Sequence, residues 1–249
     1  MEACLSKDHI VYSLNNKKKD QIKLLLNKGV FKPTETSKYL LEAVVKNFPK
    51  KKVNVLDLGC GNGILGIYLL KKFKNIINMT FADISTKAIK NAKENCMLNK
   101  IPENKIRLLK SNVFSNLDSN KFDVIINDVS GISSKVAKLS DWFVNVPCES
   151  GEDGVKLTLD FLIKFNLYLK PNGYVFFPII SLCNEKKVFN FFRRKKIINK
   201  IISTNDWPIP KNMYKHILTL KKLKKNKKIN YEEKYGLFIA NTKIFQIKI

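Results

Sequence analysis

The chain has 249 residues, 45% hydrophobic and 27% charged, which is long enough to bury the core of one large domain. Its formal net charge of +25 would ordinarily point to nucleic acid, but Arg107, Arg193 and Arg194 are the only arginines, and arginine is the residue that bidentate phosphate recognition favours. Cys4, Cys60, Cys96, Cys148 and Cys183 form no C-x-x-C pair, and His9 and His216 are far apart, so neither a disulfide framework nor a metal site is expected.

The N-terminus, MEACLSKDHI, carries no apolar signal core, and the longest apolar run, near Gly173 to Cys183, is too short to span a bilayer; a soluble cytoplasmic protein is expected. Residues 17–28 pattern as a short amphipathic helix stopped by Gly29, and Thr36 to Phe48 as a second, led in by Lys32-Pro33-Thr34. Residues 1–30 therefore read as a short N-terminal extension and 31–249 as one domain. Strand-like runs follow at about 53–58, 79–84, 105–110, 122–127 and 173–180, alternating with helical periods at about 64–73, 86–98, 154–169 and 184–195. That alternation predicts an α/β fold with a doubly wound parallel sheet. Lys170-Pro-Asn-Gly173 breaks the helix before it and feeds the fifth run. Ile198 to Ser203 and Gly236 to Ile249 are expected as the last strands, the latter turning at Asn241-Thr242, with a Lys-rich helix inserted at about 211–228. Within that insertion Met213, Ile217, Leu218 and Leu220 are expected to pack inward or line a cavity.

Residues 53–70, VNVLDLGCGNGILGIYLL, place a glycine-rich turn between the first strand of this series and its helix. Gly61-x-Gly63-x-x-Gly66, with Asp83 further on, satisfies a dinucleotide fingerprint. Gly59, Gly61 and Gly63 remove side chains where backbone must come close to a ligand. Two ligands need such a turn, and charge separates them. A dinucleotide brings an anionic pyrophosphate, whereas S-adenosylmethionine brings a cationic sulfonium and an ammonium. Asp57 sets a carboxylate beside the turn and so favours the cation. Gly66 reads as helix packing rather than ligand contact.

These residues carry a family resemblance. Val55-Leu-Asp57-Leu-Gly59-Cys-Gly61-Asn-Gly63 resembles the first motif of class I S-adenosylmethionine-dependent methyltransferases. Phe81-Ala-Asp83-Ile-Ser-Thr resembles their second, in which the acidic residue accepts both ribose hydroxyls. Ser111-Asn112-Val-Phe114 resembles the segment edging the adenine, with Asn112 in place of the usual Asp. Val30-Phe-Lys-Pro33-Thr-Glu-Thr36 and Glu149-Ser-Gly151-Glu-Asp153-Gly154 are similar to segments of the HemK-like branch, the N-methyltransferases of release-factor glutamine, and of their nucleic-acid-modifying cousins. The resemblance implies a Rossmann-like methyltransferase sheet with an antiparallel last strand. It also implies S-adenosyl-L-methionine as cofactor, held by Thr36, Asp57, Gly59, Gly61, Gly63, Asp83, Ile84, Asn112 and Asp128.

The departure lies where chemistry should occur. The HemK-like branch has [NDS]-P-P-[YFW] after the fourth strand, with the aromatic ring stacking on the acceptor. Here Asn127 is followed by Asp128-Val129-Ser130-Gly131, without prolines or ring. Asp128 is expected to orient the acceptor and take its proton, Ser130 to add a hydrogen bond, and Trp142 and Phe143 either to supply a substrate wall or to pack locally. The expected reaction is methyl transfer to a nitrogen or oxygen nucleophile of a small molecule or protein. The alternatives are methylation of RNA, supported by the basic 211–228 segment; aminopropyl transfer, which the Val124 to Ser130 segment somewhat resembles; and a non-catalytic cofactor-binding scaffold of a partner subunit.

Overall fold

Val53–Leu58 and Phe122–Asn127 are almost wholly buried, as strands covered on both faces must be, and they lie side by side at the middle of the sheet. The computed structural model describes residues 9–14, 21–118, 121–129, 131–146 and 148–249. In chain order the elements are β1 (His9–Tyr12), β2 (Ile22–Leu25), α1 (Glu35–Asn47), β3 (Val53–Leu58), α2 (Ile64–Lys72), β4 (Ile76–Asp83), α3 (Thr86–Leu98), β5 (Ile106–Lys110), β6 (Phe122–Asn127), α4 (Ser134–Leu139), α5 (Lys156–Tyr168), β7 (Leu169–Ile180), α6 (Glu185–Lys195), β8 (Asn199–Pro208), α7 (Ile217–Lys225), β9 (Glu232–Lys234) and β10 (Leu237–Lys248).

The main sheet runs β5-β4-β3-β6-β7-β10-β8, with β9 paired on β10. Strands β3 to β7 are parallel, and β10 is antiparallel to both β7 and β8. The chain therefore winds outward from β3 in one direction and from β6 in the other. This is the doubly wound Rossmann-like sheet with an antiparallel last strand that the sequence led us to expect. The reversal opens a crevice beyond the C-terminal ends of β3 and β6, the usual ligand position in such sheets.

Alternation along the strands divides the core. Val53, Val55, Val124 and Ile126 face a cluster made with α1, α2 and α3, whereas Leu56, Leu58, Ile125, Val175 and Phe177 face α5 and α6. A third cluster joins Ile132 and Val136 to Ile209, Met213, Leu220, Leu223 and Tyr231, so the Lys-rich segment is anchored by its apolar stripe.

Three expectations need correction. Residues 22–25 are the strand β2 rather than helix, because Ile22 and Leu24 are buried on either side of exposed Lys23, a period of two; residues 17–20 lie outside the described part. There is no turn at Asn241-Thr242: β10 runs straight through, Thr242 pairing with Ile180 on one side and Asn205 on the other. Residues 211–216 form a 3-10 turn before α7, and Leu218 is 82% exposed instead of packing inward. Among the described residues, no helix is long and apolar enough to cross a membrane.

Candidate functional site

The chain leaves β3 at Leu58 and turns through residues 59–63 into α2. Gly59 has φ +72°, and a Cβ there would lie 2.7 Å from Val129 Cγ1 and 2.9 Å from Val129 N, so this turn packs directly on the residue after Asp128. Gly61 differs: at φ +53° its Cβ would meet nothing within 4 Å, and the loop is open at that point. Asp83, ending β4, accepts hydrogen bonds from Gly61 N at 3.0 Å and from Ser85 N at 2.9 Å, which fixes its carboxylate at the loop's edge.

Asp57 is placed beneath the loop rather than beside a ligand. It is fully buried, its Oδ2 accepting from Gly66 N at 2.9 Å, while its Oδ1 has no hydrogen-bond partner. Gly66 is needed for packing, since a Cβ would come within 2.3 Å of Phe81 Cε1.

A cavity of about 480 Å³ extends from this loop, a size typical of small-molecule sites. Of the residues singled out from sequence, it brings together Thr36, Gly59, Gly61, Asp83, Ile84, Asn112, Asp128, Trp142 and Phe143. Asp57 and Gly63 do not line it, and Ser130 lies outside the described residues.

Asp128 emerges just past β6, its N–H donating to Leu58 O at 3.0 Å, and its Oδ2 accepts a 2.8 Å hydrogen bond from Ser37 Oγ. The preceding residue, Thr36, has its hydroxyl 3.4 Å from that of Thr242, which also accepts from Trp207 Nε1 at 2.8 Å. Consecutive residues of α1 thus reach the carboxylate of Asp128 and, through Thr242, the indole of Trp207. Trp207 meets Trp142 edge to face with ring centroids 5.8 Å apart, and Phe143 meets Phe31 at 5.0 Å. All four rings line the cavity. Sequence reasoning missed Ser37 and Trp207, although Trp207 is one of only two tryptophans and is followed by Pro208 and Pro210, both in the cavity wall.

Electrostatics in this cavity oppose the charge of the whole chain. Among the described residues its charged lining is Glu35, Asp83, Asp128, Glu149 and Asp160 against Lys156 alone. Burial pushes the Asp128 carboxyl up to about 7 against the hydrogen bond from Ser37. Burial likewise pushes Asp57 up to about 7, opposed by the Gly66 N–H and reinforced by the charges of Asp128 and Asp83. Asp83 is raised by burial despite its backbone hydrogen bonds, and the Cys60 thiol is driven well up by burial too. Such a site is improved by a cation, which stabilises the ionised carboxylates.

The residues present fit S-adenosylmethionine. Asn62, in the loop and only 2% exposed, lines the cavity with an Nδ2 that has no partner, a donor suited to a carboxylate. The open Cβ position at Gly61, the carboxylate of Asp83 at the loop's edge and the excess of acid complete a surface compatible with a cationic nucleoside. Among the described residues, no group of His, Cys, Asp and Glu is arranged to hold a metal ion.

Comparison with known proteins agrees with the resemblance read from the motifs. Residues 21–128 match the family model described as methyltransferase small domain. The chain is 29% identical over 203 residues to a bifunctional methyltransferase of Rickettsia prowazekii, spanning 72% of this chain and 39% of that protein. It is 28% identical over 191 residues to the release factor glutamine methyltransferase of Fusobacterium nucleatum, spanning 74% of this chain and 50% of that protein. The chain therefore matches half or less of the length of these two curated relatives. Among solved structures, a T. thermophilus 16S rRNA methyltransferase in complex with AdoMet and guanosine shares the fold, with a TM-score of 0.62 and 14% identity over 97% of this chain and 50% of that one.

Proposed function

We propose that the chain is an S-adenosylmethionine-dependent methyltransferase that modifies a nitrogen or oxygen nucleophile on a protein or small molecule. The observation that carries this is the single cavity running from the open glycine loop past Asp83 to Asp128 and the ring wall of Trp142 and Trp207. When bound, S-adenosylmethionine supplies a methyl group on a cationic sulfur.

In this reading Asp83 holds the ribose hydroxyls, Asn112 edges the adenine, and the glycine loop lets the cofactor approach backbone at Gly61. Asp57 acts from below by fixing Gly66 N and so the start of α2. Asp128 orients the acceptor through its lone pairs and takes the proton that the nucleophile loses; Ser37 holds that carboxylate in place. The rings of Trp207, Trp142, Phe31 and Phe143 exclude water and offer the flat wall that the Asp128-Val129-Ser130-Gly131 segment lacks. The acidic lining opposes an acceptor that must bring phosphates into the cavity, which favours a protein or small molecule over RNA.

The test combines label and mutation. Tritiated-methyl S-adenosylmethionine is incubated with the protein and a lysate of source cells, followed by protease or RNase digestion and size filtration. Protease-released label, or label that passes the filter undigested, is the expected result; RNase-released label would favour the RNA alternative. Asp128→Asn should abolish transfer while leaving S-adenosylhomocysteine affinity within a few-fold, and full retained activity would reject the role given to Asp128.

A further inference from the structure

β2 is hydrogen-bonded on one side to β1, and on the other it meets a helix instead of a strand. Asn91 and Asn95 stand four residues apart on one face of α3 and Asn99, four further on, caps its C-terminus; all three are buried, and their amides take the place of a neighbouring backbone. Asn99 Oδ1 accepts from Lys23 N at 2.9 Å and its Nδ2 donates to Lys23 O at 2.6 Å. Asn95 Oδ1 accepts from Leu25 N at 2.7 Å and its Nδ2 donates to Leu25 O at 3.1 Å. Asn91 Nδ2 donates to the same Leu25 O at 3.2 Å.

The middle amide does one thing more. The second proton of Asn95 Nδ2 goes to Asn62 O at 2.9 Å, in the glycine loop. One fully satisfied buried amide therefore ties the N-terminal hairpin to the segment expected to hold the cofactor. The chain leaving β2 strengthens the link, because Gly29, Val30 and Phe31 line the same cavity.

We propose that Asn95 is a positioning residue that couples docking of the β1–β2 hairpin to the binding geometry of the cofactor loop. The proposal rests on the reading of the cavity as an S-adenosylmethionine site. Without the Asn95 side chain, Asn62 O loses its partner, the loop leaves its binding geometry for part of the time, and affinity falls by the fraction lost. Coupling is reciprocal, so a ligand in the cavity must also steady the hairpin.

The probe is S-adenosylhomocysteine, measured by titration calorimetry, with melting temperature recorded in parallel. Asn95→Ala should raise its Kd roughly tenfold, as expected if the binding geometry is populated about a tenth of the time. Asn99→Ala also strips hydrogen bonds from the hairpin but does not touch the loop. It should lower the melting temperature to a similar degree and leave Kd within about twofold. Equal Kd values for Asn95→Ala and the unmutated protein, or equal weakening in both variants, would overturn the assignment. A second measurement needs no variant: S-adenosylhomocysteine should slow hydrogen exchange at the Leu25 amide, and unchanged exchange there would also overturn it. Failure of the unmutated protein to bind the probe sinks the underlying cofactor reading as well, whereas normal binding without coupling sinks only this proposal.

Discussion

Raising the pH from 5.5 to 7.5 should tighten S-adenosylmethionine binding far more than S-adenosylhomocysteine binding. Burial holds the carboxyls of Asp128 and Asp57 near 7 in the protein without ligand, against an ordinary value of 3.8. At pH 5.5 a group with pKa 7 is about 3% ionised and at pH 7.5 about three-quarters ionised, so binding that requires the charged form of Asp128, the one of the two that lines the cavity, gains roughly 25-fold. S-Adenosylhomocysteine has a neutral sulfur and should gain much less. Neither of the two histidines, His9 and His216, lines the cavity. Stability of the ligand-free protein should run the other way. Carboxyls raised on folding contribute stability that is fully present below their unfolded value and is lost as pH rises through 7, so these groups lower the melting temperature across the same window. Calorimetric Kd values for both ligands at several pH values, with Asp128→Asn alongside, test this directly. Parallel, flat curves for the two ligands would refute the argument, and an unchanged slope in Asp128→Asn would remove Asp128 as one of the titrating groups.

Trp207→Ala should raise the acceptor KM about tenfold or more without changing cofactor Kd, and Trp207→Phe should recover most of the loss, since stacking needs a ring. Equal effects of both substitutions on cofactor Kd would assign Trp207 to cofactor binding instead. Gly66→Ala should destabilise by about 1–3 kcal/mol, because its Cβ would press on Phe81 and on Asp57 Oδ2; a melting temperature equal to that of the unmutated protein contradicts the packing described. Reversing charge at exposed Lys221 and Lys225 of α7 should leave transfer to a protein or small acceptor and its salt dependence unchanged. A flattened salt dependence of transfer in that variant would support an RNA acceptor.

What the sequence made legible is what lies close along the chain or repeats with one period. β3 and β6 declare themselves by short apolar runs bounded by turn signals, as strands buried on both faces do, and the loop from Gly59 to Gly63 because positive φ and close approach favour glycine at 59, 61 and 63. The contacts around Asp128 were not legible. Ser37 reaches it across 91 residues of sequence, and Thr36 reaches Thr242 across 206. No periodicity encodes such pairs. β2 misled for another reason: Ile22-Lys-Leu-Leu-Leu26 satisfies a helical stripe as well as an alternating one. Its true partners, asparagines four apart along α3 and at its C-cap, are visible in the sequence, but no local pattern links them to a hairpin about 70 residues away.

The disagreement between the surface and the cavity bears most on function. A formal charge of +25 predicts attraction to polyanions for the chain as a whole, yet the cavity lining bears carboxylates and one lysine among its described charged residues. Surface charge acts through water and salt and is screened beyond about 10 Å at 0.1 M ionic strength, whereas charges around an enclosed site act on whatever enters it. The lysines therefore speak to encounter and solubility, and the carboxylates to the ligand. The segment that carries most of the clustered lysine is held to the fold by Met213, Leu220 and Leu223, and Met213 N donates to the carbonyl of Pro210, which lines the cavity with Trp207 and Pro208. Under the proposed function that wall faces the acceptor, and the apolar stripe then supports it whether or not the lysines meet an RNA.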